Sequence, residues 1–169
     1  MPVVLPDACA ALPAPLRALL EPLLEEICRA YGTALISAAV FGSRARGVAG
    51  PESDIDLLLV AEELPQGRIP RVRQFFPVEE ALAVRSPAFR TLLLSPIFKT
   101  PTEVRRGSPL FWDMTEDVIL LYDREDFLQE QLAGVKRRLE ALKARRVFRD
   151  NAWYWILKGD YRPGEVFEL

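Results

Sequence analysis

Two apolar segments separated by a Gly-Ser turn constrain this chain more than any other feature of its sequence. The first, LISAAVF at residues 35–41, carries no charge and ends at Gly42-Ser43. The second, DIDLLLV at residues 54–60, is apolar apart from its two aspartates. A strand that is apolar on both faces is typical of the centre of a sheet that other layers cover. The sequence therefore predicts two buried strands joined by a short connection.

The two aspartates of the second segment, Asp54 and Asp56, are expected to lie on the same face of their strand. Side chains two residues apart on a strand point the same way, with Cα atoms roughly 6.5–7 Å apart. Burying two carboxylates on one face is costly unless a cation or hydrogen-bond donors compensate their charge. The pair therefore predicts a metal site.

The Gly42-Ser43 turn and the arginines after it predict a phosphate-binding element beside that metal site. Glycine permits close backbone approach, and amides at the start of a helix, together with the Ser43 hydroxyl, can bind phosphate oxygens. Arg44 or Arg46 can add charge-assisted hydrogen bonds to the same phosphates. Phosphate donors beside paired carboxylates are what phosphoryl or nucleotidyl transfer with Mg²⁺ requires.

The composition excludes several rival chemistries. The chain contains no histidine, which removes Ser-His-Asp and Cys-His catalysis and histidine-ligated zinc. Its two cysteines are too few for a zinc site or a disulfide framework. A net charge of −2 gives no global basic field of the kind that marks nucleic-acid binders. No apolar run reaches the ~18–20 residues that span a bilayer, and the N-terminus does not resemble a signal peptide, so we expect a cytoplasmic protein without a membrane partner.

GSRARG followed by SDIDLLLV resembles the signature of the DNA polymerase β-like nucleotidyltransferase superfamily, in particular its minimal, stand-alone bacterial and archaeal members. The match is close over residues 35–60, and the resemblance extends over about 13–123. It implies a mixed α/β fold of the α+β type, with a small, mixed and twisted sheet and helices mainly on one face. It also implies a nucleotidyltransferase that transfers a nucleotidyl group from a nucleoside triphosphate, with ATP the expected donor, to an acceptor hydroxyl.

The resemblance assigns roles to the residues of the motif. Gly42 and Ser43 would hold the triphosphate, with Arg44 as a further nucleotide contact. Asp54 and Asp56 would be the catalytic carboxylates and the ligands of Mg²⁺ or Mn²⁺. The acceptor stays open among a protein, a small molecule and an RNA end.

One departure from the family pattern keeps a second function open. Active members of the superfamily normally carry a third carboxylate on the next core strand, but the predicted strand at residues 91–98 has no acid, and Ser95 stands near the expected place. Glu103 or Asp113, from the helical segment that follows, are the candidates to complete the site. The alternative is a catalytically weak or inactive nucleotidyltransferase-fold module that binds a partner protein, as an antitoxin does.

Apolar spacing predicts the remaining elements. They are helices over residues 12–31 and 124–146, one or two helices over residues 68–85, and strands over residues 91–98 and 118–122. The leucine seam from Leu128 to Leu142 predicts packing on the chain's own domain, with a homodimer interface as the alternative. The arginines and aromatic residues that follow indicate either a tail docked on the body or a nucleic-acid surface. We therefore predict a nucleotidyltransferase core over residues 1–123 and, over 124–169, a C-terminal helix and basic-aromatic tail that pack on the core or extend it.

Overall fold

A computed structural model of the protein describes residues 5–50, 53–150, 152–162 and 166. Within these ranges the strands are β1 (Leu35–Phe41), β2 (Ile55–Ala61), β3 (Leu94–Lys99), β4 (Ile119–Asp123), β5 (Arg145–Arg149) and β6 (Ala152–Ile156). The helices are α1 (Ala14–Tyr31), α2 (Gly42–Ala45), α3 (Arg68–Arg85), α4 (Pro101–Arg105), α5 (Leu110–Met114) and α6 (Phe127–Ala141). In the same part of the chain, no helix is both long and apolar enough to cross a membrane.

The main sheet is mixed, and its strand order is β3-β2-β1-β4. Strand β1 runs antiparallel to β2 and to β4, whereas β2 runs parallel to β3. Asp56 is the register partner of Phe41 on β1 and of Ser95 on β3. The end of β1 and the beginnings of β2 and β3 therefore meet at one end of the sheet, which we call the site end.

Helices cover both faces of the main sheet. Alternate side chains of β1 and β2 belong to two different cores, because neighbouring residues on a strand point to opposite faces. Ala38 and Leu57 pack with α1 and α3 on one face, while Ala39 and Leu58 pack with α4, α5 and α6 on the other. The mixed α/β fold class is confirmed. The helices lie on both faces of the sheet rather than mainly on one, because central strands that are apolar on both faces must be buried on both.

The C-terminal region was predicted less well than the sheet. The helix expected over residues 124–146 is shorter, because α6 begins at Phe127 and ends at Ala141. Its buried side chains pack in the core that α6 shares with α4 and α5, so the chain itself covers the leucine seam. These side chains are Leu128, Leu132, Val135 and Leu139. The tail forms the antiparallel hairpin β5–β6, which the sequence analysis did not predict. The division of the chain at residue 123 stays a prediction.

Candidate active site

Gly42 marks the point where β1 ends and the short helix α2 begins. Its φ of +70° lies in the region that favours glycine, and an added Cβ would lie 2.0 Å from Oδ2 of Asp56. The Asp56 carboxylate therefore packs directly against the backbone of the turn. Amides in the first turn of a helix have no acceptor within that helix, so this backbone can donate to a ligand beside Asp56.

Asp54 and Asp56 are both half-buried at the start of β2. The Ser95 hydroxyl donates a hydrogen bond to Oδ2 of Asp54 at 2.8 Å. Burial raises the pKa of the Asp56 carboxyl, the negative charge of Asp54 raises it further, and the Arg46 cation opposes both effects. The structure thus brings the two predicted acids together and leaves much of their negative charge uncompensated.

The two candidates for a third carboxylate lie elsewhere. Both oxygens of Glu103 accept hydrogen bonds from Arg71, at 2.8 and 3.1 Å, and one also accepts from the Thr100 amide. The hydrogen bond from Arg71 is the main reason that the pKa of Glu103 is lowered to about 2. Asp113 instead accepts hydrogen bonds from the indole N–H groups of Trp153 and Trp155.

Ser95 is the residue of β3 beside the pair, because it is the register partner of Asp56 and donates to Asp54. Within the described ranges, no group of three or more His, Cys, Asp or Glu residues could hold a metal ion. Two carboxylates with hard oxygen atoms suit one Mg²⁺ or Mn²⁺ ion whose remaining ligands are phosphate oxygens and water. The residues present fit one such ion, which Asp54 and Asp56 would hold.

The two arginines after the turn have different surroundings. Arg44 donates hydrogen bonds to the backbone carbonyls of Ser53 and Asp54, so it fixes the segment that leads into the acids. The Arg46 guanidinium lies over the ring of Trp153, with its Cζ 4.4 Å from the ring centroid. Sequence reasoning did not place Trp153 at the site. The only signal was the mixture of basic and aromatic residues in the tail, which does not reveal a hairpin.

Comparison with known proteins identifies the family to which this geometry belongs. The sequence model of the family described as "Nucleotidyltransferase domain" matches residues 20–147, which include Gly42, Ser43, Asp54 and Asp56. The chain belongs to this family. Its predicted enzyme class, nucleotidyltransferase, is confirmed, and the match extends beyond residue 123 through α6.

Three individual relatives share between 13% and 29% sequence identity with this chain. "Putative protein adenylyltransferase MJ1305" of Methanocaldococcus jannaschii is 29% identical over 137 residues, which cover 80% of this chain and 90% of the relative. A solved structure of a toxin–antitoxin with AMP-PNP is 15% identical, with a TM-score of 0.45, and covers 72% of this chain and 90% of its own. A second toxin–antitoxin structure, of a MntA–HpeT mutant, is 13% identical, with a TM-score of 0.46, and covers 71% and 90%.

Proposed function

We propose that this nucleotidyltransferase moves the adenylyl group of ATP to a hydroxyl group on a protein, with Mg²⁺ or Mn²⁺ as cofactor. The observation that carries the proposal is the contact between the Gly42 turn and the Asp56 carboxylate, because it joins phosphate donors to a cation site. The choice of ATP and of a protein acceptor follows the name of the archaeal relative, a protein adenylyltransferase.

Each residue of the motif has a distinct part in this proposal. The backbone amides after Gly42 and the Ser43 hydroxyl bind the triphosphate, and Asp54 and Asp56 hold the divalent ion. When bound, that ion neutralises phosphate charge and orients the reacting groups. Ser95 orients Asp54 through its hydrogen bond at 2.8 Å.

The reaction forms a bond between the acceptor oxygen and the α-phosphorus, and it breaks the bond from that phosphorus to the pyrophosphate leaving group. The acceptor hydroxyl must also lose its proton. No third carboxylate stands beside the pair in the described part of the chain, so a dedicated base for that proton is missing. Because general bases contribute roughly 10²–10⁴-fold to rate, we expect slow transfer.

The test is to incubate the full chain with each labelled nucleoside triphosphate, with Mg²⁺ or Mn²⁺, in a lysate of the source organism. We expect label from ATP, carried on the α-phosphate, to appear in a protein band. Asp54→Ala combined with Asp56→Ala should abolish the labelling while the variant still folds. Labelling that persists in this variant would overturn the proposed site, and label in RNA or in a small molecule would overturn the proposed acceptor.

A second function is favoured by one observation: the residue of β3 that contacts the acid pair is a serine, Ser95, rather than a third acid. A site that binds a nucleotide but transfers it poorly would suit a module that acts by binding a partner protein, as an antitoxin does. Ser95→Asp separates the two functions, because Ser95 is the register partner of Asp56 and already contacts Asp54. If the missing base limits an enzyme, this variant should transfer at least about 10-fold faster. If neither form transfers a nucleotide to any acceptor while the wild type retains a protein partner on an affinity column, the binding module is the better description.

A further inference from the structure

The outward side of α3 carries a stripe of exposed apolar residues. Ile69, Phe76 and Val84 are 67%, 47% and 85% exposed. At roughly 100° per residue, these three positions fall within an arc of about 80° around the helix axis. The buried positions of α3, which include Phe75 and Leu82, lie on the opposite side of the helix. The stripe therefore runs along the helix as one continuous surface that faces solvent.

The same arc of α3 carries two exposed charges of opposite sign, Arg73 and Glu80. Neither side chain forms an ion pair or a hydrogen bond with another residue in the described part of the chain. Neither has a charged residue three or four positions away, where a partner on the same helix would lie. The stripe thus offers one cation and one anion, set among apolar side chains, to a second molecule.

The order of the residues along the stripe is self-complementary. Its midpoint lies directly after Phe76, and Arg73 and Glu80 are equidistant from that point. Ile69 and Val84 are also equidistant from it. A second copy of α3, antiparallel to the first and related to it by a two-fold axis at the midpoint, would place Arg73 opposite Glu80. It would also place Ile69 opposite Val84, and the two-fold axis repeats each contact.

A groove beside the stripe adds to the surface that a second copy would cover. The groove has a volume of about 470 Å³, and its lining includes Glu80, Ala83 and Leu93. Leu93 is 72% exposed, so it extends the apolar surface next to the C-terminal half of α3. In the antiparallel arrangement this half meets the N-terminal half of the other helix, which carries Ile69.

The stripe lies on the side of the molecule away from the candidate active site. Ile55 and Leu57 pack in the core that contains the buried residues of α3. Asp56, between them on β2, points to the opposite face of the sheet, because neighbouring residues on a strand alternate. Two copies joined through α3 would therefore leave both pairs of acids uncovered.

We propose that this protein forms a two-fold homodimer through the outward stripe of α3, which consists of Ile69, Arg73, Phe76, Glu80 and Val84. The sequence analysis considered a homodimer through the leucine seam of α6, but that seam is buried within the chain. The contact through α3 does not depend on the proposed function. One helix face covers less than the roughly 800 Å² per partner of a standard interface, so we expect a dissociation constant on the order of 10–100 µM.

Sedimentation equilibrium of the full chain without nucleotide, over about 5–500 µM, is the first test. The average mass should rise with concentration from that of a monomer towards twice that value. Phe76→Ser removes the apolar centre of the interface and should raise the dissociation constant at least about 10-fold. Phe148→Ser, which changes an exposed ring on the C-terminal hairpin, is the control and should change it less than about 2-fold. A monomer at every concentration, or equal effects of the two substitutions, would overturn the proposal.

Charge reversal tests the two-fold arrangement itself. Arg73→Glu would place two carboxylates opposite each other at both ion pairs of the dimer, and Glu80→Arg would place two guanidinium groups there. At low ionic strength, each variant alone should dimerise at least about 10-fold more weakly than the wild type. In an equal mixture, a heterodimer of the two variants has opposite charges at both pairs. The dissociation constant of the mixture should therefore return to within about 3-fold of the wild-type value.

Recovery on mixing is a result that only a reciprocal contact gives. Failure of the mixture to recover would overturn the two-fold arrangement, and so would a variant that dimerises as tightly as the wild type. Circular dichroism of each variant checks the fold, which exposed substitutions should leave intact. Two misfolded variants would not restore each other, so recovery excludes that explanation. Capture of a different protein by the stripe, while the chain stays monomeric at about 500 µM, would also overturn the homodimer.

Discussion

Half-buried carboxylates have opposite surroundings at the two ends of the main sheet. At the end opposite the site, Asp123 accepts hydrogen bonds from the Ser37 hydroxyl and from the amides of Leu128 and Gln129. Glu103 is likewise held there by Arg71 and Thr100. At the site end, Asp54 accepts one hydrogen bond, from Ser95, and Asp56 accepts none from the described residues.

Under the proposed function, this difference separates carboxylates that stabilise the fold from carboxylates that bind a ligand. A carboxylate that protein donors already satisfy contributes to folding and has little left to offer a cation. A pair that is close, half-buried and short of donors costs stability without a ligand and binds a cation to recover it. Substitutions at the site end should therefore affect activity, and substitutions at the opposite end should affect stability.

The largest expected effect is on activity at the site end. Asp56→Asn should lower nucleotidyl transfer on the order of 10³-fold, because it removes half of the carboxylate charge that we propose holds the divalent ion. The melting temperature without metal should be unchanged or higher, since the substitution relieves repulsion from Asp54. Added Mg²⁺ should raise the melting temperature of the wild type and not that of the variant. A clear loss of stability in metal-free buffer would contradict the comparison.

The opposite end should show the reverse result. Asp123→Ala should lower the free energy of unfolding by about 2–4 kcal/mol, because the Leu128 and Gln129 amides of α6 lose their acceptor and Ser37, which is fully buried, loses its partner. Urea denaturation of the two chains measures this difference. Glu130→Ala, an exposed change in the first turn of the same helix, is the control and should cost less than about 0.5 kcal/mol. Equal effects of the two substitutions would show that helix charge, rather than the capping contacts, is responsible.

Glu103 adds a pH dependence to the comparison. Its pKa in the folded chain is about 2, below the ordinary value of 4.5, so its contribution to stability is present above pH 4.5 and is lost as the pH falls towards 2. Glu103→Gln should cost about 1–2 kcal/mol at pH 7, less than the full shift implies, because the side chain is 34% exposed. Unfolding free energies of both chains between pH 7 and pH 2 should converge at the acid end. A constant difference across that range would assign the loss to packing.

The smallest effect is expected at Tyr31, an unsatisfied polar group at the end opposite the site. Its hydroxyl is buried without a hydrogen-bond partner among the described residues, and burial raises its pKa to about 12. Tyr31→Phe removes that hydroxyl and should leave stability unchanged or raise it by up to about 1 kcal/mol. Thermal unfolding at pH 7 gives the answer. A loss of more than about 1 kcal/mol would reveal a partner for the hydroxyl.

Much of the site was predictable because it is local in sequence. The turn at Gly42, the strand that carries Asp54 and Asp56, and the buried strands around them lie within about 26 residues, and each has a short-range signature. The leucine seam of α6 was also predictable, since its spacing indicates one buried face whatever covers it. The family follows from the same short stretch and is confirmed by the match over residues 20–147.

Contacts between distant residues were decided by tertiary structure alone. The hydrogen bonds of Asp113 to Trp153 and Trp155 join residues about 40 positions apart, and the pairing of Glu103 with Arg71 joins residues about 30 apart. From the sequence, Asp113 and Glu103 were both candidates for the third carboxylate. Their actual partners could not be predicted, because a side chain's partner depends on how helices pack rather than on local pattern. By itself the sequence determined a Gly-Ser turn and two neighbouring acids that predict a cation site. Packing decided that Ser95 contacts Asp54 and that Arg46 lies over the Trp153 ring, more than a hundred residues away, since only the folded chain brings these groups together.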